Sequence, residues 1–141
     1  MKALLGNLIS RRVFEIVEIV NLSRYITNPY FPTEHDDFDA SISGWFRDSI
    51  TFADGSNLFI REEYQLIDWK LAIRYGYVYL DANGNEVLRF DNSPFHPEIW
   101  SFPHHKHSKE TPDAKPFSGE LRDVIAEIDA LVETNLSEEQ Y

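Results

Sequence analysis

Five large apolar residues fall at every second position of "KLAIRYGYVYL": Leu71, Ile73, Tyr75, Tyr77 and Tyr79. Successive side chains of a strand point to opposite faces, so this spacing commits the segment to β-structure with one face lined by bulky groups. The other face carries Ala72, Val78 and Leu80; burial on both sides would follow if the strand lies centrally, with a helix or a partner chain over its second face. "DANGN" then supplies a turn and Val87 to Phe90 returns. One hairpin earlier, Phe46, Ile50 and Phe52 alternate with Arg47, Ser49 and Thr51. Asp54-Gly55 is a turn dipeptide, and Leu58, Ile60 and Tyr64 resume the period of two. The middle of the chain reads as an antiparallel meander.

The flanks are less regular. Residues 2–9 predict a short helix; in "RRVFEIVEIVNLSRY" the positions of Val13, Ile16, Val17 and Val20 fit a helix, but the density of β-branched residues favours a strand. Residues 27–39, with two prolines and three aspartates, read as a loop in which His35 is solvated. Near the end, Leu121, Val124, Ile125, Ile128, Leu131 and Val132 form one helical stripe, with Ser118 as N-cap and Glu120 and Asp123 at the positive end of the dipole. The last residues, "NLSEEQY", are expected to fray. Before that helix, prolines at 94, 97, 103, 112 and 116 forbid helix and central strand. Residues 91–117 are therefore expected to be an extended loop, with Phe95, Ile99, Trp100, Phe102 and Phe117 packed on the sheet. The reading is α+β: a single domain over residues 1–141, with a short N-terminal helix and a twisted antiparallel sheet of four or five strands over about residues 11–92. The Pro/His-rich loop and a C-terminal helix, 118–133, packed on one face, complete it.

The formal net charge of −11 over 141 residues argues against a general nucleic-acid binder, because phosphate affinity comes from Lys and Arg. Residues 31–68 carry nine acids against Arg47 and Arg61, and residues 117–141 seven against Arg122, whereas residues 84–116 stand at only −1. Any nucleic-acid contact is expected in those least acidic segments. No apolar run approaches the roughly 20 residues that span a bilayer. The absence of cysteine excludes disulfides and thiolate zinc sites, so a cytoplasmic location is the expectation.

Four of the five histidines, His96, His104, His105 and His107, gather in the loop. Histidine is both the side chain that changes charge near neutral pH and the commonest metal ligand. As a zinc site, His104 with His107, or His105 with His107, would bind side by side, with His96 or Asp91 as third ligand and water in the open position. As a metal-free acid/base site, two imidazoles would flank an RNA phosphodiester, one taking the 2′-hydroxyl proton and the other protonating the leaving 5′-oxygen. Lys106 or Arg89 would stabilise charge on phosphorus, and Tyr75, Tyr77 or Tyr79 would donate hydrogen bonds or stack on a base. The plainer alternative is a set of histidines bonded to loop carbonyls or capping the sheet edge, above a tyrosine stripe that belongs to the core.

The string "GYVYLDANGNEVLRFDNSPFHPEIWSFPHHKH" resembles the signature of the TumE family, toxins of two-gene toxin-antitoxin modules. With the "DGS" hairpin and the closing amphipathic helix, the resemblance covers most of residues 42–133. On the family pattern the matching positions are Arg89, Asp91, Asn92, Pro94, His96, Pro97, Glu98, Pro103, His104, His105, Lys106 and His107, while Phe95 stands where a further histidine is expected. The resemblance implies a growth-inhibiting protein neutralised by a DNA-binding antitoxin encoded beside it. Many toxins of this general type attack RNA or the translation machinery. The resulting expectation is a metal-independent endoribonuclease with no cofactor, in which His104 and His107 are the catalysts, helped by His96, Lys106 and Arg89. Tyr75, Tyr77, His105, Asp91 and Asn92 would bind substrate. The alternative is a non-enzymatic module whose loop grips a protein or a metal, and a homodimer through an edge strand is open in either case.

Overall fold

A computed structural model of the chain describes residues 2–32 and 43–139. His35 and most of the acidic loop around it lie outside the described residues. Helix α1 (Lys2–Val20) leads into a six-stranded sheet, β1 (Ser43–Thr51), β2 (Asn57–Ile67), β3 (Lys70–Leu80), β4 (Glu86–Asp91), β5 (His105–Ser108) and β6 (Thr111–Pro116), and α2 (Leu121–Glu139) closes the chain. Every strand pairs antiparallel with its sequence neighbour, so the sheet is a simple meander. The α+β class and the meander hold, with six strands where four or five were expected.

Residues 11–20 are helical, against the strand expected there. Leu5, Ile9, Ile16, Ile19 and Val20 are all buried, at spacings of three, four and seven that continue the stripe begun in residues 2–9. Packing of that stripe overrides the β preference of the valines and isoleucines. The second correction concerns residues 91–117, which contain β5 and β6 rather than one long loop. The prolines permit this because β5 has none, and β6, which contains Pro112 and Pro116, is an edge strand. The third concerns the C-terminus, where α2 continues six residues past 133. Asn135 donates to Asp54 at the first hairpin (3.0 Å), which ties the start of that stretch to the sheet.

Both helices lie on one face of the sheet: α1 touches α2, β1, β2 and β3, and the inward residues of both helices share one cluster with Phe46, Ile60, Tyr77 and Phe90. Each strand therefore splits by parity. In β2, Leu58, Ile60, Glu62, Tyr64 and Leu66 are buried, while the residues between them face outward. Glu62 sits fully buried in this core. Arg12 of α1 reaches it through two bonds, Nε to Oε1 at 2.9 Å and Nη2 to Oε2 at 2.8 Å. The hydroxyls of Tyr64 and Tyr77 donate to the same carboxylate. Burial works against the Arg12 charge, but its bonds to Glu62 outweigh that and hold the guanidinium firmly protonated. Burial, and then the Glu62 charge, push the Tyr77 hydroxyl well above its usual range.

The second face of β3 carries no helix among the described residues, so of the two covers expected there the helix is not found. Nor do the bulky groups of residues 92–104 pack on the sheet as expected: Phe95, Trp100 and Phe102 are exposed, Trp100 by 84%, and Ile99 is half-buried. Phe117 alone of the five joins the core.

Candidate functional site

The parity that builds the core also decides which polar groups meet on the bare face. The register gives two continuous rows across it. One runs Arg47, Arg61, Gly76, Asp91, His105 and the next Ser49, Phe59, Val78, Arg89, His107. Together with Arg74 of β3, the residues of these rows from β1 to β4 border an open hollow of about 790 Å³, whose charged lining is Arg47, Asp48, Arg61, Arg74, Arg89 and Asp91; His105 and His107 lie beyond it. Arg47 and Arg61 stand directly opposite one another, an arrangement that destabilises a sheet through like-charge repulsion. Gly76 makes room for the second of them: a Cβ there would lie 2.9 Å from Arg61 Nη2. Among the described residues Arg47, Arg61 and Arg74 form no ion pair, whereas Arg89 is paired with Glu86 at 2.7 Å.

At the β5 end of these rows three imidazoles meet. His105 and His107 lie two apart on β5 and so share a face, and His96 is brought onto them by the connection between β4 and β5. Ring centroids are 5.1 Å apart for His96–His105 and for His105–His107, and 5.7 Å for His96–His107, with planes crossing at 65–88°. One nitrogen from each ring lies within 4.8 Å of the others. His96 has φ of +63°, in the left-handed region that a side chain rarely enters. Such strain concentrates at functional positions.

Each ring is held. His105, only 2% exposed, contacts the Pro103 carbonyl through Nδ1 (3.1 Å) and Asp91 Oδ1 through Nε2 (2.9 Å). Asp91 is itself fixed by the amide and hydroxyl of Ser93, at 3.0 and 2.6 Å. His96 Nδ1 faces Glu98 Oε1 at 3.2 Å. The Glu98 carboxyl is held below its usual range by its own backbone amide and then by His96, so it stays ionised beside the cluster.

Several residues expected at this site lie elsewhere. His104 precedes β5 and turns to the helix-covered side, where Nδ1 lies 2.7 Å from the Tyr75 hydroxyl and the two rings stack. The pair His104 with His107 is therefore not brought together; of the two pairs weighed, the one that meets is His105 with His107, and of the two third ligands weighed, His96 converges with them. Lys106 shares His104's side and binds Glu127 of α2 at 2.8 Å, away from the trio. Tyr75 and Tyr77 are core residues, 4% and 1% exposed, stacked on each other at 4.7 Å, and cannot form a platform for bases. Asn92 acts as a strand clasp, accepting from the Tyr75 amide and donating to the Ile73 carbonyl (2.9 and 2.7 Å), which continues the β3–β4 ladder past Asp91. Phe95, in place of a histidine, is exposed and leaves His96 to pair with strand residues. Arg89 and Asp91 are where they were expected, beside the histidines. Arg47, Arg61 and Arg74 were not foreseen as site residues.

The His104 pocket supplies a test of the geometry. Gly119 has φ of +84°, and a Cβ there would fall 2.7 Å from the His104 ring. Gly119→Ala is expected to cost about 1–2 kcal/mol from the backbone alone, plus the displacement of His104 from Tyr75. Urea unfolding with an unchanged m-value is the measurement, and wild-type stability would count against this packing.

Among the described residues no helix is long and apolar enough to cross a membrane. No curated protein and no solved structure matches the chain. The family model described as Toxin TumE matches residues 17–133, taking in the whole sheet, the histidine trio and most of α2. The match covers most of the chain, and the chain therefore belongs to the TumE toxin family.

Proposed function

We propose that this toxin is an endoribonuclease that holds single-stranded RNA across the bare sheet face and cuts it at the histidine trio. The observation that carries the reading is the continuous cross-strand row from Arg47 and Arg61 to Asp91 and His105, with Arg89 and His107 in the next row. Opposed arginines with no carboxylate partner among the described residues are costly in a sheet and become favourable when a polyanion lies between them. RNA phosphates would sit on Arg47, Arg61 and Arg74.

His96 and His107, both half-buried and reachable, exchange the protons. One takes the 2′-hydroxyl proton as that oxygen attacks phosphorus; the other gives a proton to the departing 5′-oxygen, leaving a 2′,3′-cyclic phosphate and a free 5′-hydroxyl. Arg89, across from His107, meets the charge that develops on the phosphoryl oxygens. His105, clamped by Asp91 and Pro103, fixes the positions of the other two rings. No metal takes part in these steps. An antitoxin covering this face would block RNA, and the acidic remainder of the chain need not approach it.

Wild type, His107→Ala and His104→Ala are to be induced in a bacterial host while growth and total RNA are followed. His107→Ala is expected to restore growth and leave RNA intact, with cleavage by purified protein lower by about 10²–10⁴-fold; His104→Ala should still cut. Continued poisoning by His107→Ala, with RNA intact, would favour a toxin that acts by binding alone.

A further inference from the structure

We propose that His96, His105 and His107 form a binding site for one zinc ion. The three rings come from two separate pieces of chain, and their donor nitrogens converge to within 4.8 Å. Tetrahedral zinc with Zn–N bonds of 2.0–2.1 Å sets its ligands about 3.4 Å apart, so the widest gap need close by only about 1.4 Å. Side-chain rotation of the half-buried His96 and His107 onto the fixed His105 achieves that. Neutral nitrogen donors with no thiolate select zinc, copper or nickel over magnesium and calcium, and zinc is the ion that accepts three histidines and leaves a fourth position to water.

The surroundings match a dication. Two carboxylates, Asp91 on His105 and Glu98 on His96, lie against the rings, and their two negative charges balance the metal without entering as obligatory ligands. Carboxylates in this position orient a ligating imidazole and raise its basicity. Both nitrogens of His105 already face acceptors. Whichever one takes the metal must do so without a proton, and it leaves the other contact to orient the ring. If the nitrogen facing Asp91 takes the metal, that carboxylate is placed to become the fourth donor. The left-handed backbone at His96 has a use here, since it turns the imidazole back onto β5.

Zinc and proton transfer require the same nitrogen lone pairs. Occupied and proton-shuttling forms of the trio therefore exclude one another, and zinc acts as a brake on the enzyme. The brake rests on the ribonuclease reading; the site does not.

The full chain, dialysed against a chelator and then against buffer, is titrated with zinc sulfate in a calorimeter. The expected result is one ion per chain, an affinity lower by on the order of a hundredfold or more in His96→Ala and in His107→Ala, and lower by 10–100-fold in Asp91→Asn. His104→Ala should bind as wild type, since that ring lies on the other side of the sheet. Circular dichroism melts establish that each variant is folded. No saturable uptake by wild type, or equal uptake by folded His96→Ala and His107→Ala, overturns the site. Synthetic RNA is then offered to the stripped and loaded proteins, and only the stripped form is expected to cut. Uptake with no cutting by either form keeps the site and sinks the ribonuclease reading. Cutting by the loaded form alone keeps the site and overturns the brake.

Discussion

Replacing Arg47 and Arg61 together by alanine is expected to weaken RNA binding while leaving the protein as stable as before, or slightly more so. The two side chains face each other across β1 and β2 and have no carboxylate partner among the described residues. In the free protein they repel, an interaction of roughly 0.2–1 kcal/mol for a directly opposed pair. On RNA each would neutralise one phosphate and release its counterion. The slope of log affinity against log salt is about −0.7 per phosphate for a single strand, so losing two contacts should make it shallower by about 1.4. Fluorescence anisotropy with a labelled oligoribonucleotide between 50 and 200 mM salt, beside a thermal melt, reads both quantities. A merely structural pair would do the reverse, lowering the melting temperature and leaving the salt slope alone.

Glu62→Ala is expected to produce the largest loss of stability of any single polar substitution in the described core. The carboxylate accepts from Arg12 and from the hydroxyls of Tyr64 and Tyr77, and it is fully buried. Removing it leaves a guanidinium whose side chain is only 13% exposed with the half-exposed Glu15, at 2.7 Å, as its remaining carboxylate partner. Breaking a buried pair in this way costs about 3–5 kcal/mol, a fall in melting temperature on the order of 10 °C for a domain of this size. Arg12→Leu combined with Glu62→Leu should recover only part of that loss, because the two tyrosine hydroxyls would still lack an acceptor. A melting temperature within 2 °C of wild type for Glu62→Ala, on the scale of about 2–4 °C per kcal/mol, would refute the assignment.

What the sequence made legible, and what it concealed, both trace to periodicity. The two hairpins over residues 46–90 were readable because large residues alternate with polar ones and the turns carry Asp-Gly and Asn-Gly. Residues 11–20 were not, since a short run of valine and isoleucine satisfies both periods, and only continuity with Leu5 and Ile9 settles it. The histidines turned on the same point. Treated as loop, "HHKH" has no faces, and His104 looked as good a partner for His107 as His105 did. Treated as strand, it places His105 and His107 on one side and His104 and Lys106 on the other. Five prolines argued for a loop, but a strand of four residues fits between Pro103 and Pro112.

The cationic surface was hidden for a related reason. Residues 31–68 sum to strong negative charge, yet that segment supplies Arg47 and Arg61. Charge counted along the chain averages over both sides of a sheet: Glu62 contributes to the sum but points into the core. Arg74 and Arg89 come from other strands, so their nearness to that pair emerges only from the register.

Helices on one side only mean that odd and even codons of the same strand answer to different selections. Glu62 and its alternate neighbours govern whether the chain holds together; Arg61 and its alternate neighbours are free to change with the job. A saturation scan of β2 scored twice, for abundance and for growth arrest, should show two interleaved combs of sensitive positions, offset by one residue.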